Sequence, residues 1–246
     1  MRKVMRYGLI SDIHANLEAL ETVLSCLSKA KVDEIICLGD IIGYGPDPEK
    51  CIELVRENTL LTIAGNHDHA LLGLIDTRFF NQFAKKSVEW TRVQLSESSI
   101  EYLHSLPLID KRENFTLVHA SPARPEAWSY ILSVDDASDN FAYIQGVACF
   151  VGHSHVPIIL EKNNDNKVSV KRNFELELDQ DKQYIINIGS VGQPRDLDPR
   201  AAYAIFDSDS CEFELKRVRY DMSITQKKII ERGLPAYLAE RLSSGQ

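Results

Sequence analysis

Residues 7–20, YGLISDIHANLEAL, run from an apolar strand into a helix, and the turn between them carries Asp12 and His14. Tyr7 to Ile10 read as a short strand. Leu17, Leu20, Leu24 and Leu27 then recur at helical spacing behind Asn16, a suitable N-cap. Asp, Asn and Ser at such a junction often do no more than close a turn and cap the helix, so the Asp-x-His pair alone has a bland explanation. The unit recurs, however. Glu34 to Leu38 is a β-rich run ending in Gly39-Asp40, followed by the Pro46 to Pro48 turn and a helical Pro48 to Glu57. Leu60 to Ala64 is a third strand, ending in Gly65-Asn66-His67-Asp68. Three strands alternating with helices imply right-handed crossovers and a parallel sheet whose C-terminal strand edges open on one side.

Residues 71–106 are helical in pattern, a cap-like insertion with Phe79, Phe80, Phe83, Val88, Trp90 and Leu95 as core or lid contacts. After Pro107 the pattern shortens. Phe115 to Val118 is a strand ending in His119, and Cys149 to Val151 another ending in Gly152-His153-Ser154-His155. Further short strands are expected at 158–161, 167–171, 184–188, 203–206 and 213–218, with a hairpin turn at Asn163 to Asn166. The tail from about 221 to 246 reads as a helix interrupted by Gly233 and Pro235. No linker or repeat divides the chain, so residues 1–246 are expected to form one domain.

Composition bounds the function. A chain of 246 residues that is 44% hydrophobic can bury a full core. A net charge of −8 and a pI near 5.4 argue against a broad basic face and stable nucleic-acid binding, since such affinity comes mainly from Lys and Arg. The five cysteines are odd in number, far apart and mostly within apolar runs, which suggests reduced buried thiols and a cytoplasmic protein. No segment reaches signal-peptide or membrane-spanning character, so no membrane association is expected. Nothing in the pattern sets an oligomeric state.

Asp12, His14, Asp40, Asn66, His67, His119, His153 and His155 all fall at strand ends or directly after them. Five of the seven histidines are in this set. An isolated histidine is more often a core or capping residue than a ligand, but concordant placement after several strands is a different matter. Imidazoles and carboxylates without cysteine suit Mn, Fe, Zn, Ni or Co, and the set is too large for one tetrahedral ion. Two divalent ions are therefore expected. A lone carboxylate such as Asp40 can bridge a pair about 3.5–4 Å apart, the spacing that clamps the attacking and leaving oxygens of a phosphoryl transfer. Two such ions against two carboxylates leave net positive charge, an anion-seeking spot on an acidic protein. A water they share loses a proton near neutral pH and can attack phosphorus.

The ordered motifs SDIHAN, GDIIGYGPDP, GNHDH, VHASP and VGHSHVP, with NIGSVGQPRD at 187–196, resemble those of the calcineurin-like metallophosphoesterases, particularly the small bacterial and archaeal phosphodiesterases. The resemblance covers most of the chain. It implies a four-layer α/β/β/α sandwich with two mixed sheets flanked by helices, and two metals at the C-terminal strand edges. It assigns one ion to Asp12, His14, Asp40 and His155, and the other to Asp40, Asn66, His119 and His153. His67 would face the substrate, protonating the leaving oxygen or stabilising charge on the phosphoryl group. The substrate would be a small phosphorylated molecule such as a nucleotide, cleaved at a phosphodiester; a dinucleoside polyphosphate or a monoester is the alternative on the same site, and a non-catalytic scaffold of this fold ranks below both because every ligand position is filled. The protein-phosphatase form of the second loop, G-D-x-x-D-R-G, is not kept: Gly43 and Tyr44 replace the second aspartate and the arginine. Asp68 or Asp47 is then a candidate to orient His67, and Arg195 or Arg200 a candidate phosphate-binding cation. Trp128 and Tyr130, in SPARPEAWSY, could stack a base over the metals or pack a cap against the sheet.

Overall fold

Leu9 and Ile10 are neighbours in one strand, both fully buried, yet they belong to different apolar layers. The structure, a computed structural model, describes residues 5–246; residues 1–4 and the Phe79 side chain, with their sequence readings, lie outside the description. In chain order the first half contains β1 (Arg6–Ile10), α1 (Leu17–Lys29), β2 (Glu34–Cys37), α2 (Pro48–Asn58), β3 (Leu61–Thr62), α3 (Asn66–Leu71), α4 (Gln82–Arg92) and α5 (Glu97–His104). The second half contains β4 (Ile109–Lys111), β5 (Phe115–Val118), α6 (Val134–Ser138), β6 (Ala148–Val151), β7 (Ile158–Lys162), β8 (Val168–Lys171) and β9 (Glu175–Glu177). It closes with β10 (Gln183–Asn187), β11 (Ala201–Asp207), β12 (Glu212–Val218), α7 (Met222–Glu231) and α8 (Ala236–Ser244). Short 3-10 turns lie at Thr77–Phe79, Pro125–Ala127 and Phe141–Tyr143.

Two six-stranded mixed sheets result, ordered β3-β2-β1-β11-β12-β9 and β4-β5-β6-β10-β7-β8. The period of two along each central strand sends alternate residues to opposite faces. Leu9, Ile36, Phe150, Ile186 and Phe206 meet between the sheets. Ile10 and Cys37 face α1 and α2, through Leu20, Val23 and Ile52, while Cys149, Val151 and Ile185 face α6 through Ala137. The order is helix, sheet, sheet, helix. Each large aliphatic side chain removed from water in this way contributes about 1.5–3 kcal/mol.

The first sheet is parallel only across β1, β2 and β3, and antiparallel from β11 onward. The third strand is shorter than the expected 60–64 because Ala64 gives its N–H to the Pro107 carbonyl instead of a strand partner. Asn66 and His67, expected in a loop, form the first turn of α3. The tail is two helices instead of one: Gly233, at φ +71, ends the first turn-back and α8 begins after Pro235. Those two helices pack on α4 through Ile229, Leu238 and Ala84.

Candidate metal centre

Parallel β1, β2 and β3, and parallel β5 and β6, bring their C-terminal ends to one side, and the loops there are laced together. Asp12 N–H donates to the Gly39 carbonyl at 3.0 Å, His14 N–H to Asp40 at 3.0 Å, and Ala15 N–H to Ile41 at 2.8 Å. Asp12, His14, Asp40, His153 and His155 all adopt left-handed backbone, with φ of 52, 50, 52, 67 and 60°. That conformation costs roughly 1–2 kcal/mol per non-glycine residue, and short polar side chains tolerate it best. The cross-loop bonds hold it in place, and it turns five donor side chains toward one point. Two glycines leave the room: a Cβ on Gly65 would lie 2.1 Å from Asp40 Oδ1, and one on Gly152 would lie 2.4 Å from Asp12 Oδ2.

The donor atoms fall into two buried groups, Asp12, His14, Asp40 and His155, and Asp40, His119 and His153, each with its atoms within 4.8 Å of one another. Asp40 is common to both. His155 Nε2 is 3.3 Å from Asp12 Oδ1, His14 Nε2 3.6 Å from Asp40 Oδ2, and His119 Nε2 3.4 Å from Asp40 Oδ2. Backbone carbonyls fix the rings. Nδ1–H donates to Ile42 from His14 (3.0 Å), to Leu38 from His119 (2.7 Å) and to Gln193 from His155 (2.6 Å). His153 is turned the other way, donating Nε2–H to Trp128 at 2.9 Å and presenting Nδ1 inward.

The consequence is electrostatic. With Nδ1 of both rings spent as donors, His14 and His155 point bare Nε2 lone pairs at each other across 3.0 Å. Burial holds both imidazoles neutral, and it pushes His153 down to about 3. Burial also opposes charge on His119, but Asp40 and Asp12 outweigh it and hold that ring up to about 9 in the metal-free protein. Burial would raise Asp12 and Asp40 too, yet the charged His119 ring beside both keeps the two carboxyls below the usual range. Asn66 Oδ1 and His119 Nε2 are buried without a hydrogen-bond partner, as are Ser11 Oγ, His67 Nδ1, Trp128 Nε1 and Arg195 Nε nearby. Buried polar atoms are normally paired, so the confronted His14 and His155 lone pairs and the orphaned Asn66 Oδ1 close by fit a cation.

His67 is held differently from expectation. Asp68 is spent on the backbone, accepting from Gly65, Asp40, Ile41 and Ile42 N–H, and Asp47 is paired with Lys228 and Arg232. Neither carboxylate orients the ring. Instead the His67 ring sits among His14, Tyr44 and Phe80, with centroids 4.9, 4.6 and 5.0 Å away, and the residue's backbone N–H donates to Asp40 Oδ1 at 2.8 Å. Gly43 makes room, since a Cβ there would lie 2.5 Å from His67 Nδ1. The two residues read as losses from a phosphatase loop thus build an aromatic seat. Burial pushes His67 down to about 4.

Arg195 lies over the Tyr44 ring, 5.6 Å from its centroid, and donates to Gln193 at 2.8 Å. Arg200 forks onto Asp198 on the surface, away from the centre. Sequence reasoning missed Tyr44 as a wall and the carbonyls of Leu38, Ile42, Trp128 and Gln193. A carbonyl acceptor leaves no side-chain signal.

Fold and site together define a metal-dependent hydrolase of phosphoric esters. Residues 5–210 match the model of the calcineurin-like phosphoesterase superfamily domain, and the chain belongs to that family. An uncharacterized protein of Methanocaldococcus jannaschii is 40% identical over 243 residues, covering 97% of this chain and 98% of that one. A metallophosphoesterase from Sphaerobacter thermophilus, solved by crystallography, is 42% identical with a TM-score of 0.88 over 99% of this chain and 100% of its own. A symmetrical bis(5'-nucleosyl)-tetraphosphatase of Wigglesworthia glossinidia brevipalpis is 28% identical over 179 residues, 69% of this chain and 62% of that protein. Among the described residues no helix is long and apolar enough to cross a membrane.

Proposed function

We propose that the protein hydrolyses phosphodiesters of small molecules with two divalent transition-metal ions. One would be held by Asp12, His14, Asp40 and His155 and the other by Asp40, Asn66, His119 and His153, with Asp40 between them. The observation that carries this is the 3.0 Å approach of two buried, uncharged Nε2 lone pairs, which only an intervening cation or proton relieves. The ions, drawn from Mn, Fe, Zn, Ni or Co, would supply Lewis acidity to the phosphoryl oxygens and acidify the attacking water. The protein's own groups do the rest. Leu38, Ile42, Gln193 and Trp128 carbonyls keep each imidazole in the tautomer that presents a lone pair. His67, seated by Tyr44 and Phe80, donates a ring N–H to the phosphoryl or leaving oxygen, and Arg195 places positive charge beside it. The free thiols of all five cysteines favour a reducing cytoplasm.

The tetraphosphatase relative supports a second reading, hydrolysis of dinucleoside polyphosphates on the same centre. Protein reconstituted separately with each metal and offered bis(p-nitrophenyl) phosphate, dinucleotides, diadenosine tetraphosphate and phosphomonoesters separates the two. Diester turnover that a chelator removes and that His67→Ala lowers by about a hundredfold or more is the expected result. No turnover of any diester with any metal, between neutral and alkaline pH, would remove the proposal.

A further inference from the structure

Two of the proposed ligands, Asn66 and His153, lie at the floor of a cleft of about 590 Å³, a size common for small-molecule sites. Asn66, His67 and His153 face into it. Its walls are aromatic: Tyr44 and Phe80 on one side, Trp128 and Tyr130 on the other. Its charged rim is acidic, with Asp76 and Glu126. Tyr130 is 49% exposed yet stacks on His153, centroids 4.1 Å apart and planes 16° from parallel. Trp128, which gives its carbonyl to the same ring, is held at φ +54. An open, aromatic-walled slot directly beside a phosphoryl site is built for a planar group stacked against these rings.

Charge narrows the class. No lysine or arginine lines the cleft among the described residues; Arg78 closes onto Asp76 outside it, and no cation pairs with Glu126 among the described residues. A polyphosphate chain entering here would meet carboxylate instead of counter-charge, whereas a single phosphoryl group would reach only the metal floor. His67 stands at the boundary between floor and cleft, so the group leaving toward His67 departs into the slot.

We infer that this cleft is the leaving-group site and that it takes an uncharged nucleoside. The substrate is then a phosphodiester whose alcohol component is a nucleoside, in preference to a dinucleoside polyphosphate. In the reaction, water oxygen bonds to phosphorus, the ester P–O bond breaks, and one water proton ends on the nucleoside oxygen, leaving a phosphomonoester and a free nucleoside. The inference rests on the phosphodiesterase reading and names the group that leaves.

Two measurements test it, one without turnover. In metal-free protein carrying Trp90→Phe, adenosine should quench the remaining Trp128 fluorescence and ribose should not. In Mn-loaded wild type, adenosine should inhibit cleavage of bis(p-nitrophenyl) phosphate competitively, at least tenfold more tightly than ribose, and Trp128→Leu should weaken that inhibition at least fivefold. Glu126→Lys, at an exposed position, should raise kcat/KM for diadenosine tetraphosphate relative to a dinucleoside monophosphate at least threefold. Equal inhibition by adenosine and ribose overturns the inference, as does a tenfold wild-type preference for the tetraphosphate. Quenching by adenosine in a protein that turns over no diester supports the nucleoside slot while removing the phosphodiesterase reading.

Discussion

The candidate metal centre and the cleft wall beside it are both built largely on loops, but they are secured in opposite ways. At the centre every loop is tied to another: Asp12, His14 and Ala15 give their N–H groups to the loop after β2, and Val191 and Gly192 give theirs to Ser11 and Asp12. His153 N–H reaches the Asp12 carboxylate at 3.0 Å. The wall is tied mostly to itself. Asp76 caps its own short turn, Asn81 caps α4, and Trp128 N–H closes onto the Pro125 carbonyl. Donor atoms aimed at an ion need fixed geometry, whereas a stacking surface works over a range of positions, so long-range bonding is concentrated where geometry matters.

Substitutions in the two regions should therefore fail differently. The largest effect is expected at Asp40→Asn, which removes the carboxylate common to both groups. Metal analysis after dialysis should show both sites depleted. Activity should fall beyond the ten- to hundredfold, roughly, that follows loss of a group supporting a ligand. Retention of two ions per chain would break the comparison. Gly152→Ala comes next, forcing a Cβ to within 2.0 Å of Ser11 Oγ and against Asp12. A loss of about 1–3 kcal/mol is expected, and at roughly 2–4 °C per kcal/mol for a chain of this size the melting temperature should drop by several degrees. Metal binding should weaken with it.

In the wall, Phe80→Ala should raise KM several-fold and leave metal content unchanged; a metal-depleted variant would show that the wall also braces the centre through His67. Gly73→Ala, at the end of α3, should give the smallest change. Its added Cβ meets nothing within 4 Å and only the φ of +75° opposes it. A cost near 1 kcal/mol by thermal denaturation is expected, with activity intact.

These contrasts map onto what could be read without coordinates. The convergence of Asp12, His14, Asp40, His119, His153 and His155 was legible because each stands just after an apolar strand, and strand ends in a parallel arrangement share an edge. The support of His67 was not. Carboxylates close in sequence were the natural candidates, yet Asp68 was taken by four backbone N–H groups and Asp47 by Lys228 and Arg232 from a helix some 180 residues away. The tail's two helices were half legible, since Gly233 and Pro235 marked the break but not the packing of Ile229 and Leu238 onto Ala84.

The sequence by itself determined the alternation of strands and helices, the polar residues at strand ends and hence the kind of chemistry. These follow from local rules of periodicity and side-chain type. Tertiary structure decided which atom of each histidine faces inward, that Tyr44 and Gly43 seat His67, and that Trp128 and Tyr130 wall a slot beside the donor cluster. Each depends on a carbonyl, a glycine gap or a ring brought from far along the chain, and such partners are set by packing in three dimensions.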